Sequence, residues 1–90
     1  MKIPILGAEY ELIEQSERMI ELDQDGECCP NSHTIELKKT SRDKEALLHE
    51  INHGILFEGG LFCAIDEQTR EVLCQQFASV YTKLFYLRFK

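Results

Sequence analysis

The chain has 90 residues, 43% of them hydrophobic, and a formal net charge of −6. A chain of this length forms one small domain with a thin hydrophobic core. The acidic balance argues against a nucleic-acid partner, which would need clustered Lys and Arg. No apolar run approaches the roughly 20 residues of a membrane-spanning helix, and the first residues do not resemble a signal peptide. We therefore expect a single cytoplasmic domain, residues 1–90, without a membrane partner.

The first 22 residues predict the start of a small sheet. Apolar-rich runs at residues 2–6 and 10–13 indicate two strands, or one strand with a tight corner. Residues 14–22 fit neither the helical nor the strand period cleanly. We favour a turn followed by a third strand over residues 19–22.

Residues 34–37 alternate polar and apolar side chains, which is typical of a strand with one face on the core and one in water. Turn-forming residues at 23–26 and 30–32 precede this strand and reverse the backbone. Lys38 and Lys39 follow it and discourage further pairing. We therefore predict that residues 34–37 are an edge strand of a small antiparallel or mixed sheet.

Two helices are predicted in the second half of the chain. Apolar residues at helical spacing indicate a first helix from about Arg42 to Glu58, with Ser41 as its N-cap and a Gly-Gly pair at its end. After a linker, Asp66 caps a second helix that continues to about Tyr86. Because the linker is short, the helices should pack antiparallel. The predicted core stripe of the second helix is Leu73, Phe77, Val80, Leu84 and Leu87.

The sequence contains four cysteines. A chain without an export signal more often keeps its cysteines reduced than paired. We expect Cys63 and Cys74, which lie among apolar residues, to be small buried hydrophobes. A zinc site built from Cys28, Cys29 and His33 is disfavoured, because no second Cys/His pair follows at a suitable spacing.

The most specific feature is an HExxH pattern in residues 47–54, which read Leu-Leu-His-Glu-Ile-Asn-His-Gly. Positions four apart on a helix lie one above the other, so His49 and His53 can bind one metal ion through their imidazole nitrogens. Glu50 lies at the edge of the same face. It is therefore placed to act on a metal-bound water rather than to complete the ligand set.

A third ligand is expected on the second helix. In an antiparallel hairpin, Glu71 stands at about the same level as His53, whereas Glu67 lies one turn nearer the linker. We therefore favour Glu71 over Glu67, with Glu58 as the next candidate. Two His and one Glu leave a fourth position open for water, which is the arrangement of a catalytic zinc site.

These residues resemble the gluzincin type of zincin metallopeptidases. They are more closely similar to the small HExxH proteins of the ImmA/IrrE-like group and related phage-encoded metallopeptidases. Residues 47–54 resemble the group's LLHE-x-x-H segment. Residues 71–77, Glu-Val-Leu-Cys-Gln-Gln-Phe, are similar to its E-x-x-A-x-x-F/L segment, whose Glu is the third metal ligand.

The resemblance implies a minimal α+β zincin that uses Zn²⁺, with Glu50 as general base, to hydrolyse a peptide or protein substrate. It also implies that an extended substrate pairs with the edge strand, here residues 34–37. No motif identifies the residue that would stabilise the oxyanion. His33, Tyr10 and Tyr81 are candidates by residue type only.

Two other functions stay open at this point. Zinc kept for stability alone would make the chain a binding or regulatory module that docks a protein partner along the same strand. In a latent peptidase, residues 27–32 or 87–90 would fill the cleft. Apolar Phe85, Leu87 and Phe89 near the end of the chain would permit a dimer.

Overall fold

The computed structural model describes the backbone of residues 1–89 and the side chains of residues 1–84. Within that part, a four-stranded mixed sheet combines with three α-helices, so the predicted α+β class is confirmed. The strands are β1 (Lys2–Ile5), β2 (Ala8–Ile13), β3 (Gly26–Cys29) and β4 (Thr34–Leu37). The helices are α1 (Glu17–Leu22), α2 (Lys44–Glu58) and α3 (Glu67–Phe89). None of these helices is long and apolar enough to cross a membrane.

The strand order is β1-β2-β4-β3, with β2 and β4 parallel and the other neighbours antiparallel. The prediction that Thr34–Leu37 is an edge strand was therefore wrong, because β4 is paired on both sides. The edges are β1 and β3. An alternating pattern reports which face of a strand is buried, but it does not report which strands lie beside it. The sequence also gave no strand signal for β3, whose residues are all partly exposed.

Residues 19–22 belong to a helix, so the strand predicted there was wrong. Ser16 caps α1 by accepting a hydrogen bond from the backbone N–H of Met19 at 3.3 Å. Asp23 ends the helix in the left-handed conformation, with φ of 52°. Because β2 and β4 are parallel, the chain must cross over between them, and α1 forms part of this crossover.

Glu36 on β4 joins the sheet to the start of α1. Its Oε1 accepts a hydrogen bond from Ser16 Oγ at 2.7 Å, and its Oε2 accepts from Arg18 Nη2 at 2.7 Å and Nε at 3.1 Å. The hydrogen bond from Arg18, followed by that from Ser16, lowers the pKa of Glu36 below its ordinary value of 4.5. The fold therefore stabilises the ionised carboxylate.

We expect Glu36→Gln to lower the free energy of unfolding at neutral pH by about 1–2 kcal/mol, because one accepting oxygen becomes an NH2 group and the negative charge that faces Arg18 is lost. A carboxyl whose pKa is lower in the folded state stabilises the fold above its unfolded-state pKa, and this contribution is lost as the pH falls through the folded-state pKa. Denaturant titrations should therefore show that the difference in unfolding free energy between the wild type and Glu36→Gln becomes smaller at acidic pH. Glu21→Gln, which removes an exposed carboxylate from α1, is the matched control. An equal, pH-independent loss in both variants would contradict this role.

The α2 helix packs on the sheet over a core of buried residues: Ile5, Tyr10, Leu12, Ile35 and Leu37. Its N-cap is Asp43, which accepts a hydrogen bond from the backbone N–H of Ala46 at 3.2 Å, so the predicted cap at Ser41 was wrong. Gly54 allows the close approach of helix and sheet, since a Cβ there would lie 2.8 Å from Ile5 Cδ1. This approach fixes how the HExxH segment sits on the sheet.

The α3 helix begins as predicted, with Asp66 Oδ1 accepting from the backbone N–H of Thr69 at 2.9 Å. Its predicted core stripe was wrong at Phe77, Val80 and Leu84, which are about half exposed, whereas Leu73 is partly buried. Small residues are buried on this helix instead, at Cys74 and Ala78. Leu87 lies outside the described side chains.

Two cysteines were predicted to be buried. Cys63 is exposed, which contradicts the prediction, whereas Cys74 is buried as predicted. Position 63 lies in the connection between α2 and α3, where an apolar run covers no core. Position 74 faces α2, where Asn52 Nδ2 donates to its carbonyl oxygen at 3.3 Å. Apolar neighbours in sequence thus identify a buried cysteine only where the segment packs against another element.

Candidate metal centre

His49 and His53 lie one turn apart on α2, with their Nε2 atoms 3.2 Å from each other. Glu71 on α3 reaches both rings. Its Oε1 lies 2.9 Å from Nε2 of His53, and its Oε2 lies 3.2 Å from Nε2 of His49. The two imidazoles are largely buried, whereas the Glu71 side chain is about half exposed. Three potential ligands from two helices therefore meet at one point.

The separations among these atoms fit a tetrahedral zinc site. With Zn–N and Zn–O bonds of about 2.0–2.1 Å, tetrahedral geometry places neighbouring ligand atoms about 3.3 Å apart. The two imidazole nitrogens are 3.2 Å apart, and each has one oxygen of the Glu71 carboxylate close to that value, Oε2 at 3.2 Å from His49 and Oε1 at 2.9 Å from His53. Burial lowers the pKa of His53, which favours the neutral imidazole that binds metals. The residues present therefore fit the ion.

The other carboxylates considered as ligands lie elsewhere. Glu58 is at the end of α2, where its Oε2 accepts a hydrogen bond from Tyr10 Oη at 3.3 Å. Glu67 lines the recess beside the site, one turn nearer the start of α3 than Glu71. The geometry thus brings Glu71 to the histidine pair and leaves Glu58 away from it.

A series of hydrogen bonds behind His49 fixes the tautomer of its imidazole ring. Gln75 Nε2 donates to Glu45 Oε1 at 2.6 Å, which turns Gln75 Oε1 toward His49 Nδ1 at 2.9 Å. An amide oxygen only accepts, so Nδ1 of His49 carries the proton and Nε2 presents its lone pair to the site. In known sites, hydrogen bonds to the ring nitrogen that does not bind the metal orient the metal-binding histidines. Sequence reasoning gave Gln75 no role, although its position one helical turn after Glu71 was a signal for it.

We expect Gln75→Leu to weaken zinc binding by about 10- to 100-fold, because His49 loses the acceptor that fixes its tautomer and ring orientation. Competition with a chromophoric chelator measures the affinity. Gln76→Leu, at the exposed neighbouring position, is the matched control and should bind zinc as the wild type does. Unchanged affinity in Gln75→Leu would show that this chain of hydrogen bonds does not support the site.

Glu50 lies beside the three potential ligands, with Oε2 4.0 Å from Nε2 of His49. It is buried under β3, where the backbone N–H of Cys28 donates to its carboxylate. Burial, reinforced by the negative charge of Glu71, raises the pKa of Glu50 to about 8. A buried carboxyl with this affinity for protons is suited to general acid–base catalysis near neutral pH.

Two recesses meet at the site. The larger, about 740 Å³, lies between β3 and the start of α3 and is lined by Cys28, Phe62, Arg70 and the candidate metal ligands. The smaller, about 460 Å³, lies on the other side and shares His49 and Glu50 with it. A chain laid along β3 would therefore pass the candidate ligands with room on both sides.

The three candidates for an oxyanion-stabilising group lie outside both recesses. Tyr10 is buried and donates to Glu58, and the His33 ring packs against it at 5.0 Å between centroids. Tyr81 lines a separate groove between the two long helices. The larger recess instead contains Arg70, which sequence reasoning missed although it directly precedes Glu71. These three assignments by residue type are therefore not supported.

The guanidinium of Arg70 is held in place at the wall of the larger recess. Its Nη1 donates to the carbonyl oxygens of Phe62, at 2.6 Å, and of Ile65. Its central carbon lies 4.0 Å from the centroid of the Phe62 ring. A cation fixed in this way is available for an anionic group in the recess.

A second group of potential ligands, Glu27, Cys29 and Glu36, lies together on β3 and β4. Arg18 contacts both carboxylates and supplies the positive charge that a cation would otherwise provide. The group therefore serves as an ion-pair network between α1 and the sheet.

No protein-family model, curated protein or solved structure matches this chain. The similarity to small zincins therefore rests on residues 47–54 and 71–77 alone. Those two segments bring the candidate ligands of this site together.

Proposed function

We propose that the chain is a zinc-dependent metallopeptidase of minimal zincin type, with His49, His53 and Glu71 as ligands and Glu50 as general base. The observation that carries this proposal is the meeting of two imidazole nitrogens and one carboxylate, at separations close to those of zinc ligands, beside a buried carboxyl. The arrangement of the helices supports it. His53 contacts Glu71, and His49, one turn earlier on α2, contacts Gln75, one turn later on α3. The two helices therefore run antiparallel, as in a helical hairpin.

Bound zinc would polarise the scissile carbonyl and make water more acidic, which is the chemistry that it supplies to hydrolases. Glu50 takes the proton from the attacking water as the new C–O bond forms. It then gives this proton to the leaving amine as the C–N bond breaks, so no other acid is needed. Arg70 is the cation in the larger recess that can stabilise negative charge on the carbonyl oxygen.

The strand available to a substrate is β3 rather than the predicted Thr34–Leu37. The backbone N–H of Cys28 points away from β4 toward Glu50, so the outer edge of β3 runs along the candidate site. An extended peptide can add to such an edge through main-chain hydrogen bonds. Gly26 lets β3 approach Glu50 closely, since a Cβ there would lie 3.1 Å from Glu50 Cγ. We therefore propose an unfolded or extended segment of a polypeptide as the substrate class.

The test is zinc-dependent cleavage of a mixture of unstructured peptides, followed by mass spectrometry. We expect new peptide termini with the zinc-loaded protein, no cleavage after chelation, and recovery when zinc is restored. The chelated sample is the matched control, because it contains the same protein and the same trace contaminants. Zinc binding without any turnover would contradict the peptidase proposal.

That outcome would favour the second candidate, a zinc-stabilised binding module. One observation supports it: α3 faces α2 through the small residues Cys74 and Ala78, so an ion bridging the two helices would add substantially to their contact. Docking along Thr34–Leu37 is excluded, because β4 has a neighbour on each side. A partner of this module would instead use the edge of β3.

The segments considered for a latent form do not fill the cleft in the described part of the chain. Residues 27–32 form β3 and a short 3-10 turn, and Cys28 and Pro30 line the wall of the larger recess. The side chains of residues 87–90 lie outside the described residues. Latency through residues 27–32 would therefore require β3 to leave the sheet.

A further inference from the structure

The α3 helix carries two apolar faces, and the described fold buries only one of them. Cys74 and Ala78 are buried, at 1% and 0% exposure. Phe77, Val80 and Leu84 are 48%, 51% and 55% exposed. At 3.6 residues per turn, these three form one stripe about 100° around the helix from the buried pair. The larger side chains thus face away from the core.

The exposed face continues beyond these three residues. Leu73, which is partly buried, extends the row by one turn, so the apolar positions are separated by four, three and four residues, which is the spacing of the contact positions in coiled coils. Tyr81 widens it by stacking on Phe77 with ring centroids 6.0 Å apart. We call this surface the α3 stripe, and it consists of Leu73, Phe77, Val80, Tyr81 and Leu84.

A groove of about 240 Å³ joins the α3 stripe to α2. It is lined by Ile55 and Leu56 together with residues of the stripe, and Ile55 is 42% exposed. The apolar surface is therefore continuous across both helices. It forms a shallow groove in which a helix could pack.

We propose that the α3 stripe is a homodimer interface in which it packs against the same stripe of a second copy of this chain. The area supports this assignment. Ile55, Phe77, Val80, Tyr81 and Leu84 are each 42–55% exposed, which corresponds to an exposed, mainly apolar surface on the order of 450 Å² per protomer. With the flanking polar atoms, two copies would bury about 1,400 Å² in total, which is within the range of stable interfaces.

The charge distribution favours a second copy. The chain carries a net charge of −6, yet residues 72–84 contain one charged side chain, Lys83. Two acidic chains repel each other least where carboxylates are absent, so this segment is where two copies can meet. A basic partner would instead be attracted to the acidic surfaces. Identical four-three spacing on both sides also allows the side chains to interlock.

The dimer leaves the candidate metal centre accessible. Glu71 and Gln75 project from the opposite side of α3 to the stripe. The proposal therefore does not depend on the peptidase function. It concerns the assembly in which that function would operate.

The test is the molar mass in solution by light scattering and sedimentation equilibrium at about 10–100 µM protein. We expect the wild type to have about twice the single-chain mass of 10.5 kDa. Val80→Glu should raise the dissociation constant by at least about 100-fold, because it places a charge at the centre of the contact. Val72→Glu is the matched control, since Val72 is equally exposed, at 54%, on a different face of the same helix.

Leu84→Glu provides a second, independent variant, and circular dichroism with thermal unfolding verifies that each variant is folded. The wild-type mass decides the proposal by itself if a variant fails to fold. A single-chain mass for the wild type at every concentration would overturn the proposal. The same holds for a folded Val80→Glu that stays dimeric, or for a Val72→Glu that dissociates.

Discussion

Replacing Glu50 by Gln should abolish zinc-dependent peptide hydrolysis and leave zinc bound. Glutamine has nearly the same shape but cannot accept the proton of the attacking water. Positioned general acid–base groups contribute about 10²- to 10⁴-fold to rate, so we expect a loss of that size in kcat. Zinc affinity should change little, because Glu50 lies beside the three ligand atoms, 4.0 Å from the nearest imidazole nitrogen.

The variant should also fold. Because burial raises the pKa of Glu50 in the metal-free protein, the ionised carboxylate destabilises that form, and a neutral amide removes this penalty. Peptide cleavage, zinc content and thermal unfolding are to be measured on one preparation. Glu67→Gln, which removes a carboxylate from the same recess, is the control and should retain activity. Full activity in Glu50→Gln would remove Glu50 from the mechanism.

Replacing Glu71 by Gln should weaken zinc binding by at least about 100-fold, because the carboxylate that contacts both imidazoles is then lost. Zinc stabilises the folded state in proportion to the logarithm of ligand concentration over the dissociation constant. The thermal shift on adding zinc should therefore largely disappear. A competition titration gives the affinity directly.

Glu67→Gln is the matched control for this experiment. It removes the same charge from the same helix one turn earlier, so a general electrostatic effect would weaken both variants equally. Loss of affinity in Glu67→Gln with retention in Glu71→Gln would exchange the roles of the two residues. Wild-type affinity in both variants would show that the third ligand lies elsewhere.

The position of β3 changes how a substrate would meet this site. The strand expected to receive a peptide, Thr34–Leu37, lies inside the sheet, whereas β3 lies at the edge and donates a backbone hydrogen bond to Glu50. The strand and the proposed general base are thus in direct contact. A peptide added to β3 would be aligned by the same element that holds Glu50 in place.

The sequence determined the features that depend on local geometry. A spacing of four brings His49 and His53 to one face of any helix, and Asp66 caps a helix through residues immediately after it. Alternation in residues 34–37 identified the buried face of a strand correctly. Each of these patterns involves residues within one or two helical turns or along one strand. The residues that interact are therefore close together in the sequence, and their spacing is enough to predict the feature.

The tertiary structure alone decided which elements became neighbours. Contacts between distant segments decide three features of the fold. These are the position of β4 inside the sheet, the formation of β3 and the choice of the buried face of α3. The same holds for Gln75 behind His49 and for Arg70 in the larger recess. Strand pairing and helix packing are set by complementary surfaces brought together from far apart in the chain, and no local period encodes them.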